Sequence, residues 1–297
     1  MVEDRRGLLL YASAVMTSLF PLSLFATGSL LLVLQRIWGR KKYLGISLAS
    51  TLVMATFLPL RVWIGFAIVN IMVFIYSEAR KLDCSDFISG SLAILNVIGL
   101  ICLFLGVWAT INEIDVVSMV KADLEEALPT LREFIGIQDV GVDELLSQIP
   151  SAGVWALVLN LWLAILGERY LLKKGWLGEQ VVKEVENDRM AWNFRLPDSL
   201  IWVFLLSVLL SFIDIGQELV QQISLNIFNV VMMAYIVQGA AVIGVFFEHN
   251  RIHGIWKFFW ILIILQLYFV VSVIGFADYW IDFRTKYFAV KKEVGNE

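Results

Sequence analysis

The stretch LNIFNVVMMAYIVQGAAVIGVFF, residues 225–247, decides the class of this protein and carries no charged side chain. A helix needs about 20 mainly apolar residues to cross about 30 Å of hydrocarbon. No water in that layer can bond a stray backbone group, which leaves a continuous helix as the stable arrangement. The stretch is therefore predicted to be a transmembrane helix.

The rest of the chain repeats this pattern, with apolar blocks separated by short stretches that hold most of the charged residues. The eight blocks are residues 7–34, 44–58, 62–76, 87–110, 153–172, 200–213, 225–247 and 256–276. The chain is 59% hydrophobic and 17% charged, whereas a soluble domain is about 45–50% apolar and about 25% charged. The sequence thus predicts an all-α fold, a polytopic transmembrane helical bundle of about eight spans.

The N-terminal blocks leave alternatives open. Pro21 lies midway in the first block, which is either one kinked helix or two half-spans. The second and third blocks are short and joined by Pro59-Leu60-Arg61, and they form either a tight hairpin or a re-entrant pair. The first block is longer than a signal-peptide core and lacks a clear cleavage site, so the mature protein is expected to begin near residue 1.

The distribution of charge divides the chain into four units. Segment 111–150 holds two basic residues against nine acidic ones, whereas the loops 35–43, 173–195 and 248–255 are basic. Loops rich in Lys and Arg stay in the cytoplasm, so we expect the basic loops inside and the acidic segment outside. The units are residues 1–110 (N-terminal membrane half), 111–150 (acidic amphipathic extracytoplasmic segment), 151–284 (C-terminal membrane half) and 285–297 (polar tail). One conflict remains, because an alternating eight-span path leaves the Lys-rich tail outside.

Within the acidic segment, apolar residues recur at helical spacing and predict an amphipathic helix. Its apolar stripe consists of Val117, Val120, Leu124, Leu128, Leu131 and Ile135. Pro129 is expected to kink or divide this helix because proline lacks a backbone N–H. The helix packs on the protein surface, lies on the outer leaflet or caps the bundle as a lid, and surface packing is the favoured interpretation.

Motifs of the common enzyme classes are missing from the sequence, which contains no GxxxxGK[ST], GxGxxG, GxSxG or HExxH. His249 and His253 are four residues apart beside Glu248, but in a short polar loop where we expect no metal site. Cys84 and Cys102 form no CxxC pair, and the net charge of −4 argues against nucleic-acid binding. We therefore expect no enzymatic activity, no cofactor and no nucleic-acid partner.

Polar residues at membrane depth form the candidate substrate site, because such residues normally face a partner, a cavity or the bundle interior. Gln222, Asn226 and Asn229 share one face of a helix that includes residues 225–247. They either bond to other helices or contact a solute. Gln238 points roughly opposite Asn229, so it joins the same lining only if the helix is distorted at Gly239.

A second set of candidates combines charged residues near helix ends. Asp278 and Asp282 share a face at i, i+4, where like charges repel, and a helix C-terminus disfavours carboxylates. Compensation is expected from Arg284, from a basic residue of the inner loop or from a bound cation, unless the helix ends before Asp282. The set also includes the residues that open the sixth block: Arg195, Pro197 and Asp198.

These motifs together resemble the YybS family of bacterial multi-spanning membrane proteins, a family without an assigned biochemical function. The matching stretches are FRLPD (194–198), Asn226 ahead of YIVQGAAV (235–242), GFAD (275–278) and DFR (282–284). That family is distantly similar to the substrate-binding S components of energy-coupling-factor importers, which dock onto a coupling protein with two ATPases. S components have fewer spans, and the stretch Ala14-Val-Met-Thr-Ser18 matches their small-xxx-small docking motif only imperfectly.

The resemblance implies a solute-binding or transport-related protein of the bacterial cytoplasmic (inner) membrane. Its partners would be the lipid bilayer, a small-molecule solute, a coupling protein and ATPase subunits. The alternative is a non-transporting scaffold that organises other envelope proteins and uses the same polar residues to bond its helices. The two hypotheses differ in whether Asn226 and Asn229 line a water-accessible cavity. If both amides are hydrogen-bonded within the protein and no cavity is near, that argues against transport.

Overall fold

The computed structural model describes residues 2–18, 24–135, 141–173, 194–213, 217–250 and 266–286, together with residues 252, 256, 259, 260 and 263. These residues are mostly helical, and no strand occurs among them. The helices are α1 (Val2–Ser18), α2 (Leu24–Phe57), α3 (Leu60–Lys81), α4 (Asp86–Asn112), α5 (Val116–Ile135), α6 (Val142–Lys173), α7 (Ser199–Phe212), α8 (Glu218–His249) and α9 (Tyr268–Ile281). The predicted all-α class is confirmed for this part of the chain.

Helix length limits how many of the predicted blocks can cross a membrane. Within the described ranges, four segments are long and apolar enough to cross, and three apolar helices are shorter. The long segments are Val62–Lys81, Asp86–Asn112, Val142–Leu172 and Glu218–Phe247, and the shorter ones are Gly7–Ser18, Ser199–Phe212 and Tyr268–Ile281. The 14 residues of α7 span only roughly 21 Å at about 1.5 Å per residue. The multi-pass helical architecture stands, but the predicted eight spans are not confirmed.

The basic stretch 35–43 is a kink inside α2 and not the predicted loop. Gly39 adopts φ 68° and ψ 173° in the middle of this helix. Glycine reaches this combination easily because it has no Cβ to clash with the backbone. At the end of α2, Leu58 and Pro59 connect directly to α3, so the second and third predicted blocks are joined by a tight turn. Pro21, expected to kink the first block, lies outside the described residues.

The acidic segment 111–150 contributes to two helices. α5 continues through Pro129 without being divided, contrary to one of the predicted outcomes. α6 begins at Val142, upstream of the predicted block at residue 153, and continues through Pro150. The apolar block is therefore the C-terminal part of a longer helix, and the boundary placed at residue 150 falls inside that helix.

The amphipathic helix α5 packs against α6. Lys121 of α5 forms an ion pair with Asp143 of α6 at 2.7 Å. Of the apolar stripe, Val120, Leu124 and Leu128 are half-buried. These contacts agree with packing on the surface of the protein, the favoured interpretation of this segment.

Two apolar clusters hold the helices together. The larger joins α1, α2, α3, α4 and α6 around fully buried side chains that include Phe66, Met72 and Val73. The smaller surrounds Tyr235 of α8, where the rings of Phe204 and Phe276 each approach edge-on with centroids 5.4 Å away. Because α6 contacts both α2 and α8, it connects the two clusters.

The chain that follows α9 lies beside the chain that precedes α7. Arg195 forms an ion pair with Asp282, and Arg284 Nη1 donates to the Phe194 carbonyl oxygen at 2.8 Å. An alternating eight-span path would place these two segments on opposite sides of the membrane. Their contact is incompatible with that path, because it places both segments at the same end of the bundle.

Gly239 of α8 and Gly275 of α9 allow these two helices to touch through their backbones. A Cβ on Gly239 would lie 2.0 Å from the Val271 carbonyl oxygen, and one on Gly275 would lie 2.1 Å from the Tyr235 carbonyl oxygen. Small residues permit such close approach between membrane helices. The two glycines belong to the stretches YIVQGAAV and GFAD, which gives those stretches a structural role.

Adding one methyl group at this contact is expected to separate α8 from α9. Gly239→Ala and Gly275→Ala each place a carbon where a backbone oxygen already lies, and overpacking of this kind costs about 1–3 kcal/mol or more. Both purified variants should melt at a lower temperature in tryptophan-fluorescence scans. Gly106→Ala in α4 is the matched control, since nothing lies within 4 Å of a Cβ there. Equal melting temperatures for all three variants would contradict the contact.

Candidate functional site: polar residues and cavities within the bundle

Asn226 is bonded into a neighbouring helix beside a proline. Its Oδ1 accepts a hydrogen bond from the Ser151 backbone N–H at 3.0 Å, and its Nδ2 donates to the Ser147 carbonyl oxygen at 2.8 Å. In a regular helix this N–H and this carbonyl, four residues apart, bond to each other. The Asn226 amide is therefore inserted into α6 next to Pro150, whose missing N–H already weakens that helix.

Asn229 extends the same contact between α6 and α8. Its side-chain Nδ2 lies 3.5 Å from Ser151 Oγ, and its backbone carbonyl oxygen accepts a hydrogen bond from Trp155 Nε1 at 2.8 Å. Gln222, the third member of the predicted face, is exposed. Neither of the two cavities described below is lined by any of the three. The geometry of Asn226 and Asn229 thus favours helix-to-helix bonding over the solute contact that was the other alternative.

Gln238 ties the start of α7 and the middle of α9 to α8. Its Oε1 accepts a hydrogen bond from the Leu196 backbone N–H at 2.8 Å, and its Nε2 donates to the Gly275 carbonyl oxygen at 2.9 Å. The side chain is buried, and it lies beside the Gly239–Gly275 contact. Its two bonds go to segments other than α6, as its position opposite Asn229 predicts.

The buried pair of Asp278 and Arg284 supplies the compensation that the sequence required. Asp278 Oδ2 accepts from Arg284 Nε at 3.1 Å and from Arg284 Nη2 at 2.6 Å. The two side chains are 1% and 4% exposed. Asp278 Oδ1 is buried and has no hydrogen-bond partner among the described residues. Of the compensating groups that were expected, Arg284 is therefore the one that Asp278 meets.

Asp282 avoids the predicted repulsion because α9 ends before it. The last helical residue is Ile281, and Asp282 follows with φ 47° and ψ 56°, a left-handed conformation in which aspartate is enriched. Hydrogen bonding from the Thr285 hydroxyl, together with the Arg195 guanidinium, holds the pKa of Asp282 below its ordinary value because both interactions favour the charged carboxylate.

The stretch FRLPD leads into α7, which begins at Ser199 just after Pro197 and Asp198. Asp198 occupies the N-cap position but makes no side-chain cap bond. The stretch is instead anchored by bonds from its first three residues: Phe194 to Arg284, Arg195 to Asp282, and Leu196 to Gln238. Apart from Asn226, which bonds to α6, the stretches that carried the family resemblance thus meet at one junction of α7, α8 and α9.

Breaking the Asp278–Arg284 pair from one side is expected to destabilise the protein strongly. Asp278→Asn or Arg284→Gln leaves a buried charge without its partner, which costs about 3–5 kcal/mol. The double variant should lose less than the two single losses together, because no unpaired charge remains. Melting temperatures of the purified variants measure this double-mutant cycle. The same cycle on the exposed Lys121–Asp143 pair is the control, for which a coupling free energy of about 0–1 kcal/mol is expected. Strictly additive losses of stability at Asp278 and Arg284 would refute the coupling.

A polar cavity of about 250 Å³ lies between α2, α3 and α6. Its polar wall consists mainly of Gln35, Arg36, Arg80, Lys81, Glu168 and Arg169. Four of these side chains are basic and one is acidic. None of the six was predicted as a site residue from the sequence. Each lies near the end of an apolar block, where charged residues ordinarily face the lipid headgroups and so do not stand out.

Ion pairs hold most of the cavity's basic side chains in place. Arg36 Nε donates to Glu168 Oε1 at 2.5 Å, and the Glu168 side chain is only 5% exposed. Two further pairs are Arg80 with Asp86 at 2.5 Å and Lys81 with Glu78 at 2.6 Å. The wall therefore presents ordered cations to the space between the three helices.

Gln35 is the buried amide of this cavity. Its Nε2 donates to Glu78 Oε1 at 3.4 Å, whereas its Oε1 is buried and has no hydrogen-bond partner among the described residues. A buried acceptor left without a donor costs about 1–3 kcal/mol. A donor from outside the chain, such as water or a solute hydroxyl, would remove that cost.

A second cavity of about 120 Å³ lies between α4, α6 and α8. Its wall is mostly apolar and includes Phe87, Ile94, Leu161, Trp162 and Leu196. The two cavities share the α6 residues Ile165 and Arg169 in their walls. They therefore adjoin each other at one stretch of α6, with charged side chains in the wall of one cavity and apolar side chains in the wall of the other.

The two histidines of the chain, His249 and His253, were expected to form no metal site. His253 and the side chains of Glu248 and His249 lie outside the described residues. Within the described part, no group of three or more His, Cys, Asp or Glu side chains could hold a metal ion.

A family model described as "Predicted membrane protein (DUF2232)" matches residues 8–279, nearly the whole chain. No curated protein and no solved structure shows a significant match. The matched description agrees with the transmembrane helices found here. It bears neither on the YybS name nor on the likeness to S components, which stay predictions.

Proposed function

The chain belongs to this family of predicted membrane proteins, and on that premise we propose that it binds a small solute as part of a transport system. The binding site in this proposal is the polar cavity of α2, α3 and α6 and not the α8 face first predicted. One observation carries the proposal: a cavity of about 250 Å³ within an integral membrane protein is lined by four basic side chains and one carboxylate.

The charge of the wall favours an anionic solute. Charged side chains on transmembrane helices are expensive, and they typically mark substrate and ion pathways. Here Arg80 and Lys81 belong to one candidate span and Glu168 and Arg169 to another. Because the pair of Arg36 with Glu168 is already formed, little side-chain entropy remains to be lost when a ligand binds.

The proposed setting is the cytoplasmic membrane of a bacterium, with a coupling protein and ATPase subunits as partners. The sequence has no phosphate-binding loop of its own, so ATP hydrolysis would belong to those partners. In this proposal the polar cavity faces the cytoplasm, because the basic stretch 35–43 includes Arg36 of its wall and segments rich in Lys and Arg stay inside. We propose no enzymatic activity for the chain itself.

A non-transporting scaffold is the second candidate, and a separate observation favours it. Asn226 and Asn229, first considered as solute contacts, bond to α6. In this alternative the charged wall of the cavity only holds α2, α3 and α6 together, and the protein organises other envelope proteins. The two candidates differ in whether a small molecule occupies the cavity.

Native mass spectrometry of the gently purified protein separates the two candidates. The unaltered protein is expected to retain a small-molecule adduct, and Arg169→Gln is expected to lose most of it because Arg169 lines the cavity. Arg169→Lys keeps the positive charge and should retain more adduct than the glutamine variant. Lys121→Gln removes a basic group from α5, outside the cavity, and is the matched control that should retain the adduct fully.

Melting curves recorded on the same samples separate loss of the adduct from loss of the fold. ATPase subunits that copurify with the protein would support the transport partnership independently. If neither the unaltered protein nor any stable variant carries an adduct, solute binding is contradicted and the scaffold is the better account.

A further inference from the structure

The polar and apolar cavities adjoin each other and differ in chemical character. Both include Ile165 and Arg169 in their walls, so Arg169 stands at the border between them. On one side of this border the wall carries guanidinium and ammonium groups, and on the other it carries aliphatic and aromatic side chains. A ligand that fills both cavities must change from charged to apolar along its length.

We propose that the occupant is an acidic amphiphile, with a negatively charged, hydroxyl-bearing head group in the polar cavity and an apolar chain in the other. This inference rests on the proposed function and names the class of solute. A wholly polar anion would leave the apolar cavity empty. An uncharged apolar molecule would make no use of the basic wall or of the Gln35 acceptor.

The charge of the head group follows from the donors on the wall. Guanidinium and ammonium groups carry several N–H donors each and no acceptor, so a side chain already paired with one carboxylate can still donate to a second anion. Phosphate and carboxylate groups suit this wall because their oxygens accept paired hydrogen bonds from arginine. The carboxylates Glu168, Asp86 and Glu78 keep the donors ordered before the ligand arrives.

The hydroxyl of the head group follows from Gln35. Its Oε1 is an acceptor, and an anionic oxygen cannot supply the hydrogen that this atom lacks. A hydroxyl carried next to the anionic group, as in a phosphoglycerol head, provides both chemistries at once. Gln35 lies in the same wall as Arg36, so one compact head group can reach both.

The apolar chain follows from the wall that α4, α6 and α8 provide. Asp86, an acidic residue at its edge, is already bonded to Arg80 and to the Tyr76 hydroxyl at 3.0 Å. Each methylene buried from water strengthens binding by about fourfold.

The test is a titration of the protein in phosphatidylcholine nanodiscs, with native mass spectrometry to count bound molecules. The probes are dioctanoyl phosphatidylglycerol, the single-chain dodecyl phosphate, zwitterionic dioctanoyl phosphatidylcholine, and glycerophosphoglycerol, which is the head group alone. Both acidic amphiphiles are expected to bind at least about tenfold more tightly than glycerophosphoglycerol, as burial of a few methylenes requires. Dioctanoyl phosphatidylcholine is expected to remain at the level of non-specific binding.

Two neighbouring residues of α4 provide a matched pair of variants. Ile94 lines the apolar cavity, whereas Leu95 is 65% exposed on the outer surface of the same helix. Ile94→Trp is expected to weaken binding of both acidic amphiphiles and to leave glycerophosphoglycerol unaffected, while Leu95→Trp changes neither. Gln35→Leu is expected to weaken the binding of dioctanoyl phosphatidylglycerol more than that of dodecyl phosphate, because dodecyl phosphate has no glycerol hydroxyl that could donate to Gln35.

The outcomes separate this inference from the proposed function. Equal affinity for glycerophosphoglycerol and dioctanoyl phosphatidylglycerol overturns the amphiphile while solute binding stands. Equal affinity for the acidic and zwitterionic lipids overturns the acidic head group. Tighter binding of dodecyl phosphate overturns the hydroxyl-bearing head group and supports a free single-chain amphiphile, whereas tighter binding of phosphatidylglycerol supports a bilayer lipid. If no probe binds and the purified protein also carries no adduct, both the inference and the proposed function fail.

Discussion

Hydrocarbon offers no hydrogen-bond partner, so a polar group inside this bundle depends on another part of the chain for its bond. Three contacts in the C-terminal half show what this requires. Asn226 bonds to the backbone of α6. Gln238 bonds to the backbone just before α7 and to the backbone of α9. Asp278 bonds to Arg284. The bonds of Asn226 and Gln238 join segments that are distant in sequence, so the need to satisfy polar groups also determines which helices are neighbours.

Features that depend on local sequence could be predicted. The four long spans coincide with apolar blocks, because burying about 20 apolar residues is a property of one segment. The need for a cation beside Asp278 also follows from local spacing, and Arg284 is only six residues away. The helix of the acidic segment was recognised from its apolar stripe, although Pro129 does not divide it.

Features that depend on packing could not be predicted. Hydropathy does not reveal that Gly39 alone turns the chain inside α2. Nor does it place Asp282 beside Arg195, a contact that an alternating eight-span path does not allow. The polar cavity is the clearest case: Arg36, Arg80 and Arg169 come from three helices, and each by itself looks like an ordinary charge at a membrane boundary.

Buried polar atoms with a hydrogen-bond partner and those without one indicate different roles in this fold. Asn226 and Gln238 drew attention in the sequence because amides are rare at membrane depth, yet their bonds go to backbone groups of the protein. Gln35 is less conspicuous, but its Oε1 has no donor among the described residues and its side chain lines a cavity. Tyr235 Oη also has no partner in that part of the chain, but Tyr235 packs among aromatic rings. Within the described part of the chain, the polar cavity is where an unmet hydrogen bond coincides with space and charge, which is the combination that a ligand can use.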